Sequence, residues 1–174
     1  MENKQPSMSK SAINFGLILG LILVVISLLT YLFRLYESTD WLSWVSIAVL
    51  AGGIYVGTKN YRDNVKGGYI SYGNALGFGT LVALFSGIVS AIFAFVYLGY
   101  IDSSFIEFSV TKAEDQMYEQ GLPEEQIEMS LKYTKMFLQP FALAIMGIFM
   151  NTFLGFIISL ITGAILKNEP KEFA

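Results

Sequence analysis

From Gly67 to Ile101 the chain runs for 35 residues without an Asp, Glu, Lys or Arg, opening GGYISYGNALGFGTL. About 20 helical residues cross a hydrocarbon core of about 30 Å. The run therefore spans a membrane with residues to spare, and its polar, glycine-rich start must do something other than span. From Gly79 onward the small residues Gly79, Ala83, Ser86, Ser90 and Ala94 recur in steps of three and four. That spacing places them on one helix face, with Leu81, Leu84, Phe85, Ile88, Phe93 and Phe95 mostly on the others. A small-residue stripe on an otherwise bulky helix is expected to pack closely on a neighbouring membrane helix.

Three further apolar segments accompany it. Ser11 to Phe33 is uncharged and too long for a signal-peptide core of about 7–15 residues, and LFRLYES offers no small-residue cleavage site, so an uncleaved first span is expected. Trp41 to Thr58 follows, with Trp41 and Trp44 suited to the headgroup belt. Pro140 should kink the last span or mark its start. That span carries a second stripe, Ala144, Gly147, Asn151, Gly155, Ser159 and Thr162. Tyr69, Tyr72, Tyr97 and Tyr100, at the ends of the third span, are expected as interface anchors.

Between the third and fourth spans lies the one extended polar segment. It holds eight acids, Glu114, Asp115 and Glu119 among them, against Lys112, Lys132 and Lys135. Ile106, Val110, Met117, Ile127 and Leu131 recur at helical spacing, and Gly121-Leu122-Pro123 breaks the chain before Glu124 and Glu125 start a second helix. An acidic, amphipathic helical hairpin is expected.

The reading is one all-α membrane domain over residues 1–174. It comprises a tail (1–10), spans at 11–33, 41–58, 72–100 and 138–166, a loop (59–71), the hairpin (102–137) and a second tail (167–174). Seven Lys and Arg fall in the two tails and the 59–66 loop, against four on the opposite side, which also carries ten acids. Short-loop cations mark the cytoplasmic side, so both termini are expected in the cytoplasm and the hairpin outside it.

Chemistry is sparse. The chain has no His and no Cys, which removes disulfides, thiolate nucleophiles, the usual zinc and haem ligands and the commonest general base. The acids match no EF-hand loop, and Gly73–Gly79 lacks the preceding strand that a dinucleotide fingerprint requires. No catalytic, cofactor-binding or metal residues are expected, and no enzyme activity. The pairs Gly16/Gly20, Gly53/Gly57 and Gly73/Gly77 match G-x-x-x-G and are expected to pack helices within the chain. Asn14, Asn74 and Asn151 are expected to hold helices together by side-chain hydrogen bonds rather than to line a solute path. No span contains a charged residue, whereas proton or ion coupling usually needs one.

The opening SAINFGLILGLI, the GGYISYGNALGFG start of the third span, the YIDSSFIE exit and the Pro-containing final helix resemble the bacterial domain of unknown function 4199. Its members are small four-span membrane proteins found mainly in one phylum of Gram-negative bacteria. The resemblance implies an inner-membrane address and transfers no catalytic residue. The expected role is a non-catalytic packing, organising or interaction component of the membrane; the alternative is a small oligomeric transporter or channel. Expected partners are the lipid bilayer and either another membrane or periplasmic protein or a second copy, with Glu114, Asp115 and Glu119 as the docking surface. Nucleic acid is not expected, and no small-molecule class is legible.

Overall fold

The computed structural model describes residues 7–37 and 41–169. They form six α-helices: α1 (Met8–Leu32), α2 (Trp41–Asn60), α3 (Tyr72–Val96), α4 (Ser104–Glu119), α5 (Glu124–Phe137) and α6 (Pro140–Leu166). Among the described residues there is no strand, only an isolated antiparallel bridge between Ile70 and Asn168. Four helical segments are long and apolar enough to cross a membrane: Met8–Leu32, Trp41–Val65, Tyr72–Ile101 and Pro140–Leu166. Their outward faces carry exposed Leu21, Val56, Ile92, Phe149 and Ile161. An apolar surface that extensive has lipid, not water, as its solvent. The protein is an all-α, multi-pass membrane protein.

Local signals set the helix ends. Ser7 and Ser71 each cap a helix, their hydroxyls accepting from the backbone N–H of Lys10 and Asn74 at 3.4 Å. Pro140 marks the start of α6 at its first turn and does not kink it. Gly121, at φ +71°, closes α4 in the left-handed conformation that costs glycine least. The α2 helix departs from expectation. It continues as a π-helical turn over Tyr61–Val65, through residues read as loop.

The α3 helix is the centre of the bundle, with α1 and α6 on its two flanks and α2 against all three. Small residues make this possible. A Cβ on Gly16 would lie 2.5 Å from Phe85 Cβ, and one on Gly20 would lie 2.7 Å from Val89 Cβ, so α1 meets α3 at near-backbone distance. On the other flank Gly79 sits against Ser159 and Gly155 against Ala83. Asn151 Nδ2 donates to Ala83 O (2.7 Å) and Ser86 Oγ (3.1 Å) across the same α3–α6 seam. Ile54 of α2, wholly buried, reaches both Gly79 and Gly155, while Leu19 fills the space that Gly53 leaves. Close backbone approach maximises dispersion contacts where lipid removes the hydrophobic drive.

The end of the bundle at which α1 begins and α6 ends is locked. Tyr61 is buried and stacks on Phe78 (centroids 4.3 Å, planes 9° apart), and Phe15 meets Phe78 edge-on at 6.3 Å. Ile70 and Asn168 exchange two backbone hydrogen bonds of 2.9 Å, and Asn168 Nδ2 donates to Gly68 O at 2.9 Å. Arg62 Nη1 donates to Leu166 O (3.3 Å), satisfying a carbonyl at the end of α6. Gly67 and Gly68, at φ +65° and +91°, turn the chain sharply enough for Ile70 to reach Asn168. That clamp is the task of the glycine-rich start of the third span.

The opposite end is not packed this way. The α1 helix buries no residue after Leu23, α2 none before Leu50 and α6 none before Gly155. Half of the bundle is close-packed; in the half beneath the α4–α5 hairpin α1, α2 and α6 are splayed around the third span, which stays buried at Ala91, Tyr97 and Leu98.

Candidate functional site

The splayed half encloses three adjoining cavities of about 340, 250 and 210 Å³, all lined by Ser27. The largest lies between α1, α2 and α4, with the hydroxyls of Thr30, Ser43 and Ser46, the rings of Tyr31, Tyr36, Phe105 and Phe108, and Lys112 on its walls. The second lies over α3 between α1 and α6, along Gly87, Ser90, Ala91 and Ala94. The third reaches deepest and is lined by Ser27, Ser46, Ser90 and Asn151 with Leu23, Leu50 and Leu154. Its floor meets the close-packed half.

An aromatic cluster ties the hairpin to the bundle. Tyr31 stacks on Tyr97 (5.1 Å) and Phe93 (6.4 Å) and leans on Phe105 (5.6 Å). Tyr36 meets Phe105 edge-on at 5.2 Å and Phe108 at 5.4 Å. Tyr97, expected at the interface, is therefore buried, whereas Tyr100 is 77% exposed. The cause is local: a π-helical turn over Tyr97–Ile101 ends the third span and begins on the buried tyrosine. Tyr61 starts the corresponding turn at the other end of the bundle. Asp102 follows, its Oδ1 accepting from Ser104 N at 2.9 Å. Hydrogen bonds from the Ser104 side chain and backbone hold its carboxyl below the usual carboxylate range, which favours the charged form at the start of α4.

Within the hairpin Ile127 is buried and Ile106, Val110, Met117 and Leu131 are half-buried. The α5 helix also presents Met129, Tyr133, Met136 and Phe137 outward, four residues at helical spacing on one face beside the start of α6. Such a face belongs on a membrane interface. Asp115 and Glu119 are exposed and Glu114 is half-buried, and none of the three enters an ion pair among the described residues.

The expected packing residues divide. Gly16, Gly20, Gly79, Ala83, Ser86, Asn151, Gly155 and Ser159 all lie in helix–helix seams, with Ser159 Oγ bonded to Gly155 O at 2.6 Å. Ser90 and Ala94 line the second cavity instead. Gly73, Gly77 and Gly147 are corrected: a Cβ on any of them would meet nothing within 4 Å, and Gly147 borders the second cavity instead of a neighbouring helix. Of the three asparagines, Asn151 bridges helices while Asn14 and Asn74 are exposed. Nothing local in the sequence joins Ser27 or Ser46 to Ser90 and Asn151.

Among the described residues no group of three or more His, Cys, Asp or Glu side chains could hold a metal ion. The family model described as "Protein of unknown function (DUF4199)" matches residues 14–168. No curated protein and no solved structure matches the chain.

Proposed function

The chain belongs to the DUF4199 family of proteins of unknown function, and from its geometry we propose a non-catalytic inner-membrane component that engages a partner protein at its hairpin end. One observation carries this reading. The bundle is clamped shut where α1 begins and α6 ends, and left open beneath a hairpin whose Glu114, Asp115 and Glu119 enter no ion pair among the described residues. A rigid membrane foot under a solvated acidic head suits recognition of another membrane or periplasmic protein, or of a second copy, through a basic surface. The side chains that reach the cavities are hydroxyls, one amide, rings, aliphatic groups and one lysine, a set without a carboxylate or an imidazole.

In this reading the clamp and both termini face the cytoplasm and the hairpin faces the periplasm, following the bias of Lys and Arg toward the clamp side. The Cys-free chain allows a clean check. In intact spheroplasts an impermeant thiol reagent should label Gln120→Cys and spare Asn64→Cys. The reverse pattern would invert the topology.

The docking role is tested by in-cell crosslinking from the hairpin. Reversing Glu114, Asp115 and Glu119 to Lys should leave the protein folded and abolish the crosslinked species. The wild-type association should weaken with salt, since exposed charges are screened beyond about 10 Å at 0.1 M. An unchanged crosslinking pattern in the folded triple variant would reduce the hairpin to a connector.

A second reading, a transporter caught open to one side, is favoured by the polar lining that reaches the middle of the bundle. Against it stands the closed half, where Ile54, Tyr61, Phe78 and Val82 leave no path. Solute flux through the purified protein in liposomes would replace the first reading with this one.

A further inference from the structure

Each of the four membrane helices contributes one uncharged polar side chain to the deepest cavity: Ser27 from α1, Ser46 from α2, Ser90 from α3 and Asn151 from α6. Their hydrogen-bonding capacity is only partly used. Asn151 spends its amide N–H groups on Ala83 O and Ser86 Oγ, which leaves Oδ1 to accept. Ser46 Oγ donates to Leu42 O at 3.4 Å and keeps its lone pairs. Ser90 Oγ is buried and has no partner among the described residues. A hydroxyl left unanswered at membrane depth is costly, and Ser90 shares this one space with polar side chains from three other helices.

The rest of the lining fixes the class of ligand. Leu23, Ile47, Leu50 and Leu154 supply apolar wall, and no charged side chain lines this cavity. An anionic or cationic group would lie there without a counter-ion on the cavity's own walls. An uncharged head that both donates and accepts hydrogen bonds fits, joined to an apolar body.

The route in is also visible. Gly147 is exposed and lines the second cavity, and a Cβ at that position would meet nothing within 4 Å. The α6 wall therefore has a gap there, on a helix whose outward face is apolar. That gap faces the lipid phase and not the water.

We propose that the ring of Ser27, Ser46, Ser90 and Asn151 binds the uncharged, hydroxyl-bearing head of a neutral membrane amphiphile that enters past Gly147. This does not depend on whether the hairpin docks a protein.

The test uses the full chain in lipid nanodiscs with a photoactivatable monoacylglycerol, and its phosphorylated, anionic analogue of the same chain length as control. Crosslinks are mapped to peptides. The neutral probe should label the peptides containing Ser27, Ser46 and Ser90, and the anionic analogue only the outer faces of the helices. Ser90→Ala should lower cavity labelling by about threefold to tenfold, the worth of one neutral hydrogen bond. Gly147→Leu projects into open space, so it should leave thermal stability unchanged, close the gap and remove cavity labelling while sparing labelling of the exterior. Equal cavity labelling by both probes would overturn the neutral head. Cavity labelling indifferent to both variants, or confined to the exterior in the wild type, would overturn the site. Loss of cavity labelling under excess free glycerol would assign the site to a soluble polyol and overturn the membrane route.

Discussion

Gly155→Leu should destabilise the protein by about 3 kcal/mol or more, the upper range for overpacking a close-packed interior. Gly155 meets Ala83 with no room for a Cβ, and Ile54 of α2 closes the third side. The two helices must separate to admit a side chain, and the Asn151 bond to Ala83 O would stretch with them. Ser86→Leu should act similarly, since Ser86 is wholly buried in the same seam and accepts from Asn151. Two controls separate this from a generic effect of added bulk. Gly147→Leu, on the same helix but facing open space, should be neutral, and Leu84→Ala, on a half-buried position, should cost far less. Unfolding in mixed detergent micelles measures all four. Equal tolerance would mean that the two stripes face lipid.

Tyr61→Ala should be comparably damaging, at about 3–5 kcal/mol, the range for emptying a buried aromatic site. Tyr61 is 1% exposed and stacks on Phe78, which Phe15 supports from a second helix. The cavity would open beside Arg62 and the Ile70–Asn168 bridge, so the clamp should loosen with it. Faster proteolysis between Lys59 and Lys66 would report that loosening. Tyr61→Phe keeps the stack and should change stability by less than about 1 kcal/mol. A Tyr61→Ala protein as stable as wild type would show that the clamp does not depend on the aromatic stack.

The central place of α3 was legible because small residues at steps of three and four announce a close-packing face whatever the partner is. Gly155 and Ser159, which that face meets, belong to the second such stripe, on α6. Gly73, Gly77 and Gly147 carry the same signal and pack on nothing. Spacing sets which residues share a face but not where that face points once the helix is placed. The ends of the spans were harder for a related reason. Tyr97 and Tyr100 look alike in sequence, yet a π-helical turn sends one inward and the other outward. KNYRDNVK reads as a solvated loop by charge, but Arg62 donates to the Leu166 carbonyl at the end of α6, a partner 104 residues away. The hairpin was readable from Gly121, Leu122 and Pro123, since breakers act locally. The cavity was not. Its four polar groups come from four helices, and each serine alone is unremarkable in a membrane span.

One asymmetry governs the molecule: the bundle is shut where α1 begins and α6 ends, and open beneath its hairpin. Thiol accessibility in nanodiscs tests it directly, with a small water-soluble methanethiosulfonate and near-isosteric cysteines introduced one at a time. Ser27→Cys and Ser46→Cys, on the cavity walls, should react in the folded protein. Thr58→Cys and Ser159→Cys, both wholly buried in the closed half, should react only after denaturation. Ready reaction at Thr58→Cys or Ser159→Cys, or protection of both Ser27→Cys and Ser46→Cys, would contradict the account.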